Sequence, residues 1–287
     1  MESKGLIVDG NNLLHSSYHV AQKITWKIND GTIFFFLRVL ISVLKKGNYQ
    51  NLLIVFDGGG DNFRKEIMSN YKAQRGKMPE ELWEQMQKVK ALLEETDIKV
   101  IQLINHEADD LIASFVNQQV KENPFLILDI FTRDKDLLQL LDKNVNILKY
   151  IEGKSTIYTQ EDFCKEYVFS PKNYVDYLSL LGDNVDNIKG VMGIGLVNAK
   201  KLIQQFGTVE NIYQRIKESP EKIKKILENQ EKTAYLNKSI IKLDKNITFS
   251  PKEIKTWDFQ WESWKSNKKL QEFCENNQFK SILKLLD

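Results

Sequence analysis

Short apolar runs recur through the first half of the chain, and four of them end on carboxylates. Leu6-Ile7-Val8 runs into Asp9, and residues 52–56 run into Asp57. Residues 100–104 lead to Glu107-Ala108-Asp109-Asp110, and 125–131 lead to Asp134-Lys135-Asp136. Runs this apolar, interleaved with amphipathic stretches, predict strands buried on both faces of a mainly parallel sheet. The expected order is strand 5–8, helix 32–45, strand 51–56, a charged segment 62–96, strand 98–104, helix 107–121, strand 125–131, helix 135–141 and strand 145–150. That alternation marks an α/β domain. Helix 107–121 carries Leu111, Ile112, Phe115, Val116 and Val120 on one stripe and stops at Asn123-Pro124.

Beyond about residue 160 the strand signals fade. Helices are expected from Pro171 to Leu181, from Ala199 to Phe206, and over 209–217, 220–228, 231–243 and 265–285. The segment 58–80 begins with three glycines, has few large apolar residues and reads as mobile and surface-exposed. The tryptophans at 257, 261 and 264 read as packing for a C-terminal helix.

Composition narrows the class. The 287 residues are 42% hydrophobic and 28% charged, which describes a globular chain able to bury a core. A net charge of +2 hides a segregation: acids gather at strand ends, while Lys and Arg recur at 64–77, 198–201 and 215–225. Cys164 and Cys274 have no metal-ligand spacing and argue for a reducing compartment. No signal-peptide pattern opens the chain, and the apolar stretch 34–44 is too short to span a bilayer, so a cytoplasmic protein is expected.

The acids carry the candidate chemistry. A fifth cluster, Asp183 and Asp186, brings the set to nine with Asp9, Asp57, Glu107, Asp109, Asp110, Asp134, Asp136. Parallel sheets bind ligands at the carboxyl ends of their strands, so these groups should meet at one edge. Clustered carboxylates repel unless hard cations lie between them. Their spacing suits two neighbouring divalent ions, an arrangement that can clamp a phosphoryl displacement. Taken singly, Asp9 or Asp57 would be a helix cap or turn former, Asp110 a helix N-terminal charge, and only the recurrence argues otherwise.

Gly190-Val191-Met192-Gly193-Ile194-Gly195 follows no strand and lacks dinucleotide-loop spacing. A tight turn between two helices fits it, either with backbone N–H groups and Lys200 and Lys201 near a phosphate or as a plain Gly-rich link. Arg64, Tyr71, Lys72 and Arg75 combine cations with an aromatic ring, as nucleic-acid contacts do, or form a solvated helix face. His15, His19 and His106 show no shared spacing that points to a ligand set.

Six motifs in order are similar to those of the bacterial 5′–3′ exonuclease and flap endonuclease family: Val8-Asp9-Gly10, Val55-Phe56-Asp57, Tyr71-Lys72-Ala73-x-Arg75, Glu107-Ala108-Asp109-Asp110, Thr132-x-Asp134-Lys135-Asp136-Leu137 and Gly182-Asp183-x-x-Asp186-Asn187. The resemblance covers the chain from about residue 4 to its end. It implies a PIN-like, resolvase-like α/β nuclease domain at 1–165 with a helical arch at about 60–80. It also implies a helical helix–hairpin–helix-type DNA-binding region at 166–287.

By position it implies that Asp9, Asp57 and Asp109 hold one ion, with Glu107 acting through water. Asp134, Asp136 and Asp183, with Asp186 alongside, would hold a second. The ions would be Mg²⁺, with Mn²⁺ as substitute. Asp110 matches a less direct family acid. Lys72 falls at the scissile phosphate, making Lys72, Asp9, Asp57, Asp109 and Asp134 the expected catalytic set. Arg64, Tyr71, Arg75, Gly190, Gly193, Gly195 and Lys200 become DNA contacts, with K⁺ held by hairpin carbonyls. The implied function is two-metal cleavage of DNA at 5′ ends and flaps, in RNA primer removal and repair, by a stand-alone, nucleoid-associated monomer working with a separate polymerase and ligase. The alternatives are a PIN-like ribonuclease and an inactive structure-specific DNA-binding protein. The chain departs from the family pattern at His15-Ser16, Val185, Lys189 and Leu196-Val197-Asn198.

Overall fold

The computed structural model describes residues 3–24, 30–151, 153–250 and 257–287. The apolar runs form the centre of a six-stranded sheet: β1 (Lys4–Asp9), β2 (Asn51–Val55), β3 (Lys99–Ile101), β4 (Ile127–Phe131), β5 (Val145–Ile151) and β6 (Lys154–Tyr158). The order is β3-β2-β1-β4-β5-β6, parallel except for β6, which pairs antiparallel with β5. The chain winds outward from β1 through β2 to β3 and then restarts on the other side of β1 with β4. The topological switch point therefore lies between β1 and β4, where open α/β sheets open a crevice.

Helices α1 (Gly10–Gln22), α2 (Gly31–Gly47), a short α3 (Phe63–Ile67), α4 (Glu80–Glu95) and α5 (Ala108–Glu122) accompany these strands. On one face α1, α2 and α4 bury Leu13, Leu14, Phe36, Leu40, Val89 and Leu93 against Leu6, Val8 and Ile54. On the other, Leu111, Ile112 and Phe115 of α5 pack on Ile7, Leu53 and Ile130.

The second half is helical: α6 (Gln160–Tyr167), α7 (Tyr174–Leu181), α8 (Leu196–Phe206), α9 (Val209–Gln214), α10 (Glu221–Leu227) and α11 (Glu231–Ile241). Between α7 and α8 runs a small hairpin, β7 (Gly182–Asp183) with β8 (Ile188–Lys189). The side chain of Asn237 on α11 donates to the carbonyls of Ser179 and Lys189, which fixes this hairpin to its helices.

Several elements differ from the sequence expectation. Gly10-Asn11-Asn12 hides the start of α1, because the cap is the strand-ending Asp9 itself, whose side chain accepts from Asn12 N–H. Within the charged segment 62–96, Leu82, Met86, Val89, Leu92 and Leu93 form the buried stripe of α4. The helix expected at 135–141 is a 3₁₀ turn, Asp136–Leu140. The polar strand β6 gave no apolar signal because it lies at the sheet edge. The single helix expected at 265–285 is broken into α12 (Trp261–Lys265), α13 (Lys268–Asn276) and α14 (Lys280–Leu286). Trp264, Leu270, Phe279 and Ile282 of this terminal stretch enter the α2 side of the first core, away from the helical half.

Candidate metal centre and nucleic-acid interface

The crevice at the switch point collects the strand-ending acids. Asp9 is 5% exposed; its Oδ1 accepts from Asn12 N–H at 2.9 Å and its Oδ2 from the Thr132 hydroxyl at 2.8 Å. The same Thr132 Oγ1 accepts from Asp134 N–H at 2.9 Å, and Asp134 Oδ1 accepts from Asp136 N–H at 2.8 Å. Asp57 donates its N–H to Asn11 Oδ1 at 2.8 Å, while its Oδ1 accepts from Ala108 N–H at 2.7 Å. Strand ends β1, β2 and β4 and the start of α5 are thus stitched together by side chains. Asp9, Asp57, Asp109 and Asp134 line one cavity of about 650 Å³, together with Lys72 and Arg75.

Burial pushes the Asp9 carboxyl up to about 7, Asn12 and Thr132 resist, and Asp57 and Asp134 add repulsion. Asp109 is raised well above the ordinary value by burial and then by Asp134 and Asp9. Asp57 rises too, through burial, with Lys72 opposing.

A second group faces the first. One carboxylate oxygen each from Asp136, Asp183 and Asp186 lies within 4.8 Å of the others. Asp136 is raised to about 7, by burial and then by Asp134 and Asp183, and its Oδ1 is buried with no hydrogen-bond partner. An orphaned carboxylate oxygen inside a converging set of three supplies part of the oxygen shell that a hard divalent cation takes, with waters or substrate completing it. The residues fit such ions. Protein cations neutralise part of the charge here: Lys135 Nζ lies 3.0 Å from Asp183, and Arg75 lies 2.5 Å from Asp186.

Lys72 sits between the groups. Its Nζ donates to Glu107 Oε1 at 2.8 Å and lies 3.9 Å from Asp186. Its backbone is left-handed, φ 54°, and its N–H donates to the Asp186 carbonyl at 3.1 Å. A lysine held at positive φ stores strain, which fits a side chain aimed by its surroundings. Burial lowers the ammonium's affinity for its proton, but Glu107 and Asp186 outweigh this and hold its pKa above the ordinary value. Glu107 is the mirror case: burial raises it, and Lys72 and Arg64 bring it below the ordinary range.

Three expectations change. Arg64 does not face a nucleic acid: it is 2% exposed, and its guanidinium donates to both oxygens of Asp110, to Glu107 and to the Ile240 carbonyl. Asp110 accordingly spends its oxygens on Arg64 and on Asp244 N–H, away from the cavity. The segment 58–80, expected to be mobile and surface-exposed, buries Asn62, Arg64 and Tyr71. Tyr71 OH reaches Glu107 and Asp186 at 3.2 and 3.3 Å, and Asn187 Nδ2 reaches the Asn70 carbonyl at 2.9 Å. The segment is docked on the turn that bears Asp183 and Asp186.

Sequence reasoning passed over Asn11, Asn12 and Thr132, whose signal was only adjacency to strand-ending acids. His15 and His19, set aside in the sequence for want of a shared spacing with His106, stand four apart on the hidden helix α1 and line the cavity. In the 190–195 turn, Gly190 is required by packing, since a Cβ there would lie 2.1 Å from the Leu181 carbonyl oxygen. Gly193 needs φ 90°, Gly195 caps α8, and Lys200 Nζ donates to the Glu166 carbonyl at 2.6 Å. No described helix is long and apolar enough to cross a membrane.

A resolvase-like parallel sheet with an acid-lined crevice and a helical region beside it defines a nuclease architecture. The chain belongs to the 5′-3′ exonuclease family: it matches the model of the N-terminal resolvase-like domain over residues 4–168 and that of the C-terminal SAM fold over 169–267. A 5′-3′ exonuclease of Mycoplasmopsis pulmonis is 36% identical over 248 residues, covering 85% of this chain and 82% of that protein. DNA polymerase I of Caldicellulosiruptor bescii is 33% identical over 290 residues, 99% of this chain but 33% of that protein. The T5 5′-exonuclease with bound zinc shares the fold, with a TM-score of 0.68 at 22% identity, covering 99% of this chain and 100% of that one. The catalytic core of Rad2 in complex with DNA substrate aligns at a TM-score of 0.61 and 18% identity, covering 100% of this chain and 93% of that one.

Proposed function

We propose that this enzyme hydrolyses DNA phosphodiesters at 5′ ends and 5′ flaps with two divalent cations, Mg²⁺ in the first place. The observation that carries the reading is the division of the acids. Asp9, Asp57, Asp109 and Asp134 line one cavity, and Asp136, Asp183 and Asp186 converge beside it, with Lys72 between. Asp9, Asp57 and Asp109, with Glu107 behind them, would hold one ion and Asp136, Asp183 and Asp186 the other; Asp134, which lines the first cavity and accepts from Asp136 N–H, would lie between the two. Ions so placed lower the pKa of water and offset charge on a phosphate.

The protein's own groups do the rest. Lys72 and Arg75 line the cavity and offer an ammonium and a guanidinium to the phosphate oxygens, in exchange for Glu107 and Asp186. Thr132 keeps Asp9 and Asp134 in register, and Asn11 and Asn12 fix the backbones at Asp57 and Arg133. The N–H groups of Gly193 and Gly195 and the N-terminus of α8 suit a backbone phosphate of the duplex, with Lys201 exposed beside them. K⁺ at carbonyls of the 190–195 turn belongs to the same reading. A monomer belongs to the same reading. RNA primer remnants as substrates, and a polymerase and a ligase that take over the cleared end, follow from 5′ cleavage.

A 5′-labelled flap duplex incubated with the purified protein and Mg²⁺ should yield released flaps and short 5′ products, and EDTA should stop the reaction. An intact flap beside an active control nuclease sinks the proposal. A strong preference for single-stranded RNA would replace it with the ribonuclease reading.

A further inference from the structure

The 190–195 turn is held at two places by different means. Its entry is fixed on α7: Val191 N–H donates to the Leu180 carbonyl at 2.8 Å, and Gly190 presses on the Leu181 carbonyl. Its tip is held by one side chain. Gln230, which directly precedes α11, accepts from Met192 N–H through Oε1 at 2.6 Å and donates through Nε2 to the Met192 carbonyl at 2.8 Å. The same Nε2 donates to the Ile226 carbonyl at 3.0 Å, tying the clamp to α10. A primary amide laid along a peptide in this way makes the pair of bonds that a neighbouring strand would make. Beneath it, Gly193 at φ 90° rests on the Ile226 side chain, where a Cβ would already be 3.2 Å away.

The clamp has a consequence for the outer side of the turn. The Met192 backbone is tied down while its side chain is 81% exposed. The N–H groups of Gly193 and Gly195 pair with no acceptor among the described residues. We propose that Gln230 is a positioning residue for DNA. By locking the Met192 peptide, it holds the Gly193 and Gly195 N–H groups in a geometry that can take one backbone phosphate. This rests on the reading that the 190–195 turn grips the duplex.

The test is equilibrium binding of a fluorescent 5′-flap duplex, in Ca²⁺ to prevent turnover, for two variants of the full chain. Gln230→Leu keeps the size of the side chain and removes the clamp. Gly195→Pro removes one N–H directly, at a position where an added Cβ meets nothing within 4 Å. Both should weaken binding by about tenfold, the worth of one lost charge-assisted contact. The slope of log K against log salt should stay nearly unchanged in both, because a neutral N–H, unlike a lysine or arginine on a phosphate, releases no counterion. In cleavage assays the Gln230→Leu loss should fall on KM rather than kcat. A merely structural role would lower the thermal midpoint and kcat together, with no loss confined to KM. If Gly195→Pro weakens binding and Gln230→Leu does not, the role of Gln230 is refuted while the hairpin reading stands. If neither weakens it, both fall. Loss in Gln230→Leu alone would show that Gln230 acts elsewhere, which also refutes the proposal.

Discussion

Arg64 and Asp110 form a two-bond ion pair, 2.5 and 2.8 Å, with each side chain no more than 3% exposed. The arginine comes from the segment expected to reach out over DNA, and the aspartate from a run of acids expected to bind metal. Together they instead bolt α3 to the first turn of α5 and, through the Ile240 carbonyl, to the end of α11. Removing Arg64 leaves the buried Asp110 carboxylate with only the Asp244 N–H, and removing Asp110 leaves the buried guanidinium with only Glu107 as its counter-charge. Arg64→Ala or Asp110→Ala should therefore cost about 3–5 kcal/mol of stability by urea denaturation. Asp110→Asn should keep Mn²⁺ affinity within a factor of about three, because one lost salt bridge acts on folding and not on the ion sites. A large loss of Mn²⁺ affinity would return Asp110 to the ligand set.

Thr132 is the hydroxyl through which Asp9 and Asp134 are joined across the switch point. Thr132→Val keeps the shape and deletes both bonds. Divalent-ion affinity and cleavage rate should fall by about 10–100-fold, as they do when a group that orients metal ligands is lost. Thr132→Ser, which restores the hydroxyl, should recover most of both. Titration with Mn²⁺ alongside single-turnover cleavage measures the two; equal behaviour of Val and Ser would rule out the hydroxyl's role.

Lys72→Ala removes the ammonium placed between the two acid groups. Charge stabilisation of this kind is worth about 10²–10³ in rate. The single-turnover rate at saturating DNA should drop by that order while the dissociation constant changes far less. An unaltered rate would exclude the lysine from the chemistry.

Asp9 and Asp136 each have a carboxyl raised from 3.8 to about 7 when no metal is bound. A carboxyl that binds its proton more tightly in the folded state stabilises the fold at low pH. That contribution is lost as pH climbs from about 4 through 7. The metal-free protein should therefore melt lower at pH 8 than at pH 5.5. Mg²⁺ should raise the midpoint at pH 8 and do little at pH 5.5, where protons already occupy the carboxyls. Scanning calorimetry with and without EDTA decides it, and a Mg²⁺ effect larger at the lower pH would contradict the assignment.

Elements legible in the sequence were those whose signal is local. Strands β1, β2 and β4 announced themselves because both their faces are buried, so each carries a run of apolar residues, interrupted in β4 only by the buried Asp129. Helix α5 showed its stripe and its acidic first turn. Helix α1 did not, since a strand-ending Asp serves as its cap and a glycine opens it. In the site, the acids were legible by their recurrence. Thr132 and Asn11 were not, because a neutral residue next to an acid has no pattern of its own.

By itself the sequence determined that carboxylates would end successive strands of a parallel sheet, and hence that they would share an edge. Periodicity and strand direction are properties of consecutive residues, and they carry that much. Tertiary structure alone decided which way each side chain turned. Asp109 faces the cavity while its neighbour Asp110 faces Arg64, 46 residues away. Gln230 meets Met192 across 38 residues, and Arg64 meets Ile240 across 176. Such pairings are set by the packing of whole elements, where a buried charge or amide must find its partner wherever the fold brings one.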